Sequence, residues 1–324
     1  MIAENQPQPV TLRVSVTDRC QLRCRYCMPA EGVPLVDHRD VLAIEEILEF
    51  VGFLRRRVGL SKVRVTGGEP LVRRGVGRLV AGLAAEGVPD VALTTNGFRL
   101  PELALSLRQA GLRRVNISLD TLDPATFRRL TRGGDVHQAV AGIEAALRAG
   151  IAPVKLNMVV LRGVNEAHVV EVARFGLERG CEVRFLELMP IGVAADRYRE
   201  WFVGSDETRG RLAEAFGLEP MPAEPGASSR RFWARDDAGA DGVVGFISPC
   251  TDPFCEGCRR LRLTATGRLL GCLAQADGTD VRSVLRGDGS GRDRRLLEAV
   301  DEALAVKRRG RRFADQDLMA GIGG

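Results

Sequence analysis

The sequence has no apolar run long enough for a membrane span, and it has few aromatic residues. No stretch reaches the roughly 18 uninterrupted apolar residues that a transmembrane helix requires, and the N-terminal segment Met1–Pro7 lacks the charged-then-apolar pattern of a signal peptide. Aromatic residues make up only 5% of the chain, which argues against a surface that stacks nucleic-acid bases. These absences predict a cytoplasmic protein that binds neither a membrane nor nucleic acid.

Lysine is also rare. The 47 basic residues include only three lysines, Lys62, Lys155 and Lys307, and the arginines are scattered, so the net charge of +5 identifies no basic patch. Lys155 lies inside an apolar run and Lys62 is near the start of another. A compact, movable ammonium at these two positions suits a functional role, with chance retention as the alternative.

The cysteines fall into two groups of three, with Cys181 and Cys250 apart from them. Such a grouping favours metal ligation over disulfide bonds. The first group has the spacing C-x3-C-x2-C directly after an apolar strand and consists of Cys20, Cys24 and Cys27. A structural zinc site normally closes with four ligands, so three thiolates in one short loop suit a four-iron cluster with one iron open to a small molecule.

The second group has the spacing C-x2-C-x13-C and consists of Cys255, Cys258 and Cys272. Arg260 and Arg262 alternate beside it on a predicted strand and therefore point to one face. Two guanidinium groups next to an open iron suit a ligand that carries phosphates. Cys250, five residues upstream of Cys255, leaves a four-ligand zinc site as the alternative for this group.

Strand and helix patterns alternate from residue 11 to about residue 192, which predicts an α/β fold with a parallel sheet, curled into an incomplete (βα)6 barrel of the TIM type. The predicted strands are Thr11–Val16, Lys62–Thr66, Val91–Thr95, Arg114–Leu119, Pro153–Leu161 and Glu182–Leu188. The predicted helices between them are Ile44–Arg57, Val76–Ala85, Pro101–Ala110, Val136–Ala149 and Glu166–Glu178. Polar residues follow the strands, so the sequence predicts a pocket at their carboxyl ends.

The composition changes after a further helix predicted near residues 206–216. Residues 219–229 are rich in Pro, Gly and Ser, which is typical of a linker. We therefore expect two domains, a core of residues 1–218 and a small C-terminal domain of residues 219–324 that carries the second cysteine group. Short strands are predicted at Arg230–Arg235 and Gly242–Ile247, and helices at Asp280–Leu285 and Arg292–Arg308.

The first cysteine motif, with Tyr26 before its last cysteine, and the stretch Thr66–Pro70 (TGGEP) together resemble the radical S-adenosylmethionine enzymes. The resemblance implies that Cys20, Cys24 and Cys27 bind a 4Fe-4S cluster whose open iron is chelated by S-adenosylmethionine. Cleavage of this cofactor gives a 5′-deoxyadenosyl radical, which abstracts a hydrogen from the substrate. The residues implied to contact S-adenosylmethionine are Tyr26, Gly68, Ser118 and Met189.

The second cysteine group, the paired arginines and the terminal Gly323-Gly324 narrow the resemblance to the GTP 3′,8-cyclase family of molybdenum cofactor biosynthesis. The family's reaction removes hydrogen from ribose C3′ of GTP and joins that carbon to purine C8. It implies a second 4Fe-4S cluster at Cys255, Cys258 and Cys272, and a terminal glycine pair that enters the active site. The implied GTP contacts are Arg13, Arg64, Thr94, Lys155, Arg260 and Arg262, with Lys62 and Arg184 as further phosphate contacts.

The implied partners are GTP, an electron donor of unknown identity and the next enzyme of the pathway, cyclic pyranopterin monophosphate synthase; a homodimer is compatible with the sequence. Two alternatives remain open. One is a radical enzyme with an auxiliary cluster that acts on a peptide or another metabolite, and the other is a basic iron–sulfur or zinc protein that binds nucleic acid. Arg13 and Arg64 alternate with apolar residues, so a solvated outer face is their alternative location. Gln21 follows Cys20 where the family usually has Asn.

Overall fold

The structure is a computed structural model that describes residues 8–223, 226–255, 257–274 and 278–307. Its described strands form one twelve-stranded sheet. In chain order they are β1 Val10–Ser15, β2 Leu60–Thr66, β3 Val91–Thr95, β4 Arg114–Ser118, β5 Val154–Val160, β6 Glu182–Glu187, β7 Gly217–Pro220, β8 Arg230–Arg235, β9 Asp241–Ile247, β10 Arg260–Leu263, β11 Arg268–Leu270 and β12 Gly278–Asp280.

The strand order across the sheet is β12-β11-β10-β1-β2-β3-β4-β5-β6-β9-β8-β7. The run from β10 through β1–β6 to β9 is parallel, and two antiparallel strands follow at each end. The prediction of an α/β fold with a parallel sheet is confirmed. The C-terminal strands extend the same sheet on both sides, so the two ends of the chain share one framework.

Ten α-helices are described, and the amphipathic patterns located most of them to within a few residues. They are α1 Ile44–Arg57, α2 Val76–Ala85, α3 Leu100–Gln109, α4 Pro124–Thr131, α5 Val136–Arg148, α6 Val169–Leu177, α7 Val193–Trp201, α8 Ser205–Ala213, α9 Arg282–Arg286 and α10 Arg292–Val306. In α1, residues at helical spacing such as Ile47, Val51 and Leu54 are fully buried. None of the helices in the described ranges has the length and apolar character of a membrane span.

Helices α4 and α7 are absent from the sequence prediction. Helix α4 has only eight residues, too few to show a convincing helical period. Its start is nevertheless encoded locally, because the Asp123 carboxylate accepts a 2.8 Å hydrogen bond from Thr126 N and Pro124 occupies the first turn. The connection between β4 and β5 therefore contains two helices, and α4 proves important for the cysteine loop.

The two faces of the parallel sheet differ in chemistry because side chains alternate along each strand. On one face, residues such as Leu12, Val14, Val63 and Val65 are buried in the apolar core that the sheet shares with the helices. The opposite face carries polar and basic side chains, and we call it the polar face. The candidate site lies on the polar face and at the carboxyl ends of the strands.

Candidate functional site

The first cysteine group lies in the loop after β1, and the glycine-rich loop after β2 holds that loop in place. Gly68 N donates a 2.7 Å hydrogen bond to Thr17 O, and Glu69 N donates a 2.8 Å hydrogen bond to Arg19 O. A Cβ atom at Gly68 would lie only 2.5 Å from the carbonyl oxygen of Arg19. The close approach that requires glycine here is therefore between the two loops themselves.

Helix α4 supports the same cysteine loop from its other side. The carbonyl oxygens of Leu130 and Thr131 accept hydrogen bonds from Arg25 N at 2.9 Å and Arg23 N at 3.1 Å. The Arg132 guanidinium donates to the carbonyl oxygens of Arg23 and Met28, both at 2.9 Å. Arg132 has a positive φ of 55°, unusual for a residue with a side chain. Backbone groups of the loop are thus fixed without using the cysteine side chains.

The three thiols of this loop interact electrostatically and suit a polynuclear cluster. Burial raises the pKa of Cys20 to about 11 and that of Cys27 to about 12, and it raises the pKa of Cys24 well above its ordinary value; the neighbouring cysteines add to the shift of Cys24 and Cys27. Positive iron would offset the cost of thiolates here. Three cysteine thiols in one loop are a donor set that fits a cluster in which each thiolate binds a different iron.

Tyr26, a predicted S-adenosylmethionine contact, is fixed by a carboxylate that the sequence analysis did not assign. Its hydroxyl donates a 2.8 Å hydrogen bond to Asp120, which also accepts from Val159 N at 2.9 Å. Burial raises the pKa of Asp120 to about 6. Asp120 lies two residues after the end of β4. Its place at the carboxyl end of a strand, where the sequence predicts a pocket, could have identified it as a site residue.

Glu69 of the TGGEP stretch is buried, and its carboxylate is already hydrogen-bonded within the protein. It accepts from Leu71 N at 2.9 Å, from the Thr95 hydroxyl at 2.7 Å and from Asn96 N at 2.7 Å. Burial raises its pKa to about 7 despite these donors. Asn96 also accepts a 3.3 Å hydrogen bond from the Gln21 amide, so the side chain that departs from the family pattern makes a specific contact.

The other two predicted S-adenosylmethionine contacts lie at strand ends. Ser118 ends β4 and is in register with Asn157 of β5, whose side-chain oxygen is buried and has no hydrogen-bond partner among the described residues. Met189 follows β6 and packs against a buried apolar cluster formed by Ile191, Leu270 and Leu273. Because Leu270 ends β11, Met189 lies beside the C-terminal segment that carries the second cysteine group.

The predicted GTP-contacting residues share the polar face. Arg13 is in register with Arg64 on one side and with Arg262 on the other, and Thr11 is in register with Lys62 and Arg260. Thr94 and Lys155 are linked through the register of Asn116. The seven basic members come from five strands, β1, β2, β5, β6 and β10: Arg13, Lys62, Arg64, Lys155, Arg184, Arg260 and Arg262.

These basic groups are close enough to destabilise one another's charge. Burial lowers the pKa of Arg13, and repulsion from Arg262 lowers it further. The pKa of Arg64 is likewise lowered by burial and then by repulsion from Arg13. Burial lowers the pKa of Arg262 to about 10. The Nε atom of Arg64 is buried with no hydrogen-bond partner in the described ranges. The structure thus places Arg13 and Arg64 half-buried among other cations on the polar face, and not on a solvated outer face.

Two carboxylates on the polar face were missed by the sequence analysis. Asp90, just before β3, accepts from Lys62 Nζ at 3.1 Å and from Arg114 Nε at 2.7 Å. Glu182 accepts from Lys155 Nζ at 2.5 Å and from Arg184 Nε at 2.5 Å. The alternation of side chains along a strand could have predicted part of this arrangement. Arg114 lies two residues from Asn116 on β4, and Glu182 lies two residues from Arg184 on β6, so each pair shares a face of the sheet.

The second cysteine group adjoins these arginines. Cys258 N donates to Cys255 O at 3.1 Å within one turn, and Cys258 and Cys272 both favour the charged form of Arg262. Lys307 Nζ lies 3.4 Å from Cys258 Sγ. Burial would raise the pKa of Cys258, but Lys307 and Arg260 outweigh it and hold the pKa below its ordinary value. All three lysines of the chain therefore lie at or beside the site.

Cys250 and the terminal glycine pair are the two remaining features that the sequence analysis singled out. Cys250 Sγ lies 3.5 Å from Leu188 O, and its backbone N–H donates to Glu187 at 2.9 Å. Hydrogen bonding to Cys250, after burial, raises the pKa of Tyr198. The terminal Gly323-Gly324 lies outside the described residues.

Each half of the chain matches a known protein family. Residues 14–176 match the Radical SAM superfamily, and residues 181–313 match Molybdenum Cofactor Synthesis C. The chain is 46% identical over 321 residues to a GTP 3′,8-cyclase of Heliobacterium modesticaldum, covering 97% of each chain. It is 47% identical to a GTP 3′,8-cyclase of Moorella thermoacetica, covering 85% of this chain and 84% of that one.

Solved structures show the same fold at low sequence identity. Streptococcus suis SuiB bound to S-adenosylmethionine superposes with a TM-score of 0.58 and 14% identity, covering 86% of this chain and 64% of SuiB. The two proteins therefore share a fold. Identity above 40% along nearly the whole chain, together with both family matches, shows that the protein belongs to the GTP 3′,8-cyclase family of radical SAM enzymes.

Proposed function

We propose that the protein converts GTP to (8S)-3′,8-cyclo-7,8-dihydroguanosine 5′-triphosphate in molybdenum cofactor biosynthesis. The observation that carries the proposal is the convergence of seven basic side chains from five strands on the polar face of one sheet. Their charges repel one another, and the buried Arg64 Nε has no partner among the described residues. A triphosphate would relieve both costs, because it supplies several negative charges and many acceptor oxygens.

We infer that the residues of this face divide the nucleotide between them. Arg13, Arg64 and Lys155, with Lys62 and Arg184, bind the triphosphate, while Arg260 and Arg262 hold the end of GTP that lies near the second cysteine group. Thr94 contributes a hydroxyl from the neighbouring strand. Their strands are hydrogen-bonded neighbours, so the phosphates meet a preorganised surface and little ordering is required on binding.

The first cysteine loop is proposed to hold a 4Fe-4S cluster through Cys20, Cys24 and Cys27. When bound there, the cluster and S-adenosylmethionine supply a radical that removes a hydrogen atom from ribose C3′. The chain's own contribution is placement: Tyr26, Gly68, Ser118 and Met189 contact the cofactor. The hydrogen bond from Tyr26 to Asp120 supports this assignment, because it fixes the ring beside the loop before any ligand arrives.

A second 4Fe-4S cluster is proposed at Cys255, Cys258 and Cys272, where it orients the guanine. The proximity of Cys258 and Cys272 to Arg262 supports it, since it links this group to the polar face. The alternative is a zinc site closed by Cys250, whose thiol contacts Leu188 O. Iron and zinc content of the purified protein distinguish the two.

We further propose that β1–β6 form an incomplete (βα)6 barrel within a core of residues 1–218, and that residues 219–324 form a small C-terminal domain. Neighbouring strands are about 4.8 Å apart, so Arg64 on β2 and Arg184 on β6 would be separated by roughly 19 Å in a flat sheet. Arg184 nevertheless contributes to the lowered pKa of Arg64, after burial and Arg13. This long-range repulsion supports a sheet that curls around the polar face.

The proposed reaction requires an external electron donor, and its product passes to cyclic pyranopterin monophosphate synthase. Both are proposed partners of a cytoplasmic enzyme, and a homodimer is compatible with the proposal. The net change in the substrate is loss of one hydrogen atom from C3′, formation of the C3′–C8 bond, and gain of one electron and one proton by the purine.

The test is turnover of GTP deuterated at C3′ by the anaerobically reconstituted protein with S-adenosylmethionine and a chemical reductant. The expected result is cyclised product together with 5′-deoxyadenosine that contains the deuterium. GTP deuterated at C2′ is the matched control and should transfer none. Cofactor cleavage that is independent of GTP, with no cyclised product, would refute the proposed substrate.

A further inference from the structure

Each of the two lysines of the polar face contacts a carboxylate that also holds an arginine. Asp90 Oδ2 contacts Lys62 Nζ at 3.1 Å and also Arg114 Nη2, while Asp90 Oδ1 accepts a 2.7 Å hydrogen bond from Arg114 Nε. Glu182 takes Lys155 Nζ on Oε2 and Arg184 Nε on Oε1. Each carboxylate thus bridges one lysine and one arginine, and we call each set a bridged pair.

Both bridged pairs lie toward the N-terminal ends of the parallel strands. Lys155 is the second residue of β5, Glu182 is the first residue of β6, and Asp90 directly precedes β3. The cysteine loop and Gly68 lie after the carboxyl ends of β1 and β2. The bridged pairs are therefore separate from the first cysteine loop.

The pair at Glu182 is the more enclosed. The side chains of Lys155 and Glu182 are 9% and 10% exposed, against 31% and 18% for Lys62 and Asp90. An ammonium this enclosed keeps its proton only with help, because burial and the Arg184 charge both oppose the charged form. Glu182 is the group that favours it, and the same two cations hold the Glu182 pKa below its ordinary value against the effect of burial.

We propose that Glu182 and Asp90 are positioning residues that hold Lys155 with Arg184, and Lys62 with Arg114, as fixed cationic pairs for the phosphates of the substrate. This inference rests on the proposed function for the identity of the substrate, but the pairs would recognise any polyphosphate. A long lysine side chain loses rotamer freedom when it is ordered, so fixing it before binding lowers the entropic cost of the complex. Arg114 becomes a further member of the phosphate-binding set.

The opposite expectation is that the carboxylates compete with phosphate for the cations. In that case their removal would strengthen binding, because two negative charges would leave an anion site. The two expectations predict changes of opposite sign, so the neutral variants decide between them.

The test compares three ligands on the anaerobically reconstituted holoenzyme by calorimetry: GTP, inorganic pyrophosphate and guanosine. Glu182→Gln should weaken the affinity for GTP and pyrophosphate by about tenfold, the loss of a charge-assisted hydrogen bond. The affinity for guanosine, which has no phosphate, should not change. Asp90→Asn should act in the same direction but less strongly, because its pair is more exposed. Glu200→Gln, on the exposed ion pair with Arg197, is the matched control.

A double variant keeps the test decisive if Glu182→Gln does not fold. Lys155→Met with Glu182→Gln removes both charges of the Lys155–Glu182 ion pair, and the glutamine oxygen can still accept a hydrogen bond from Arg184 Nε. Its affinity for pyrophosphate should be lower than that of Lys155→Met alone, because Glu182 still positions Arg184 in the single variant; a higher affinity would show that the carboxylate competes with phosphate.

Unchanged or stronger pyrophosphate binding by Glu182→Gln would overturn the inference. An equal loss for guanosine would also overturn it, because that result indicates a general distortion of the site. Failure of the proposed function gives a different pattern, because wild-type protein would then not cyclise GTP. The pyrophosphate affinities of the variants would still show whether the carboxylates position the cations.

Discussion

Gly68 is packed so closely on Arg19 that a Cβ atom at the glycine would lie 2.5 Å from the Arg19 carbonyl oxygen. We expect Gly68→Ala to displace the cysteine loop, lower the iron bound at the first cluster and reduce S-adenosylmethionine cleavage at least tenfold, a penalty of the size expected for a clash against backbone. Iron analysis and cleavage assays measure this. Gly77→Ala is the control, because its added Cβ would have no atom within 4 Å apart from its chain neighbours and the nearby backbone of helix α2. Equal iron content in both variants would contradict the prediction.

Arg132 tests whether helix α4 supports the cysteine loop. Arg132→Gly preserves the positive φ and removes the guanidinium that donates to Arg23 O and Met28 O. We expect faster loss of iron from the first cluster on dilution with chelator, with a change of about 1 kcal/mol or less in the free energy of unfolding, since the side chain is exposed. Arg128→Gly in the same helix is not a suitable control, because glycine inside a helix costs stability by itself.

The companion variant is Arg132→Ala, which removes the same hydrogen bonds but keeps the backbone strain that wild-type Arg132 already carries at φ 55°. Iron loss should be similar in the two variants, while the glycine variant should be more stable than the alanine variant by about 1 kcal/mol, because glycine relieves that strain. Iron retention equal to wild type in both would show that the hydrogen bonds to the loop backbone are dispensable.

Cys272 separates the two proposed clusters. Reconstituted wild type should hold about eight irons per chain, and Cys272→Ala about four. The variant should lose cyclisation of GTP but retain cofactor cleavage that is uncoupled from product, because Cys20, Cys24 and Cys27 are unchanged. Four irons and one zinc in the wild type would contradict the second cluster, and loss of both activities would indicate a wider role for Cys272.

The two lysines of the polar face predict the pH dependence of GTP binding. Burial lowers the pKa of Lys62 and of Lys155 to about 8 in the free protein. A bound polyanion favours the charged forms, so above pH 8 binding must take up protons and affinity must fall as pH rises, by up to about tenfold per pH unit for each lysine. The charged groups that face the two lysines are Arg64, Asp90, Arg114, Glu182, Arg184 and Arg260.

Calorimetry in buffers of different ionisation enthalpy counts the protons taken up at pH 9. Lys155→Ala should weaken GTP binding at pH 7 and take up one proton fewer than wild type at pH 9. Affinity that is constant between pH 7 and pH 9.5 would contradict the assignment of both lysines to the phosphates.

Apolar period and motif spacing are local properties, and they were enough to predict the parallel sheet, the two cysteine groups and most of the helices, although not α4 and α7. The sequence by itself also indicated that Lys62, Lys155 and the alternating pair Arg260 and Arg262 were unusual. These features are sufficient to indicate the family.

Which side chains these residues contact depends on the tertiary structure. Strands β1 and β10 are neighbours although some 250 residues separate them, and that pairing places Arg262 beside Arg13. Asp90 and Glu182 form ion pairs with cations on neighbouring strands. The short helix α4 accepts hydrogen bonds from a loop that lies about 100 residues earlier in the chain. Such contacts arise from the packing of distant segments, which no local pattern encodes, and they bring the basic residues together on one face of the sheet.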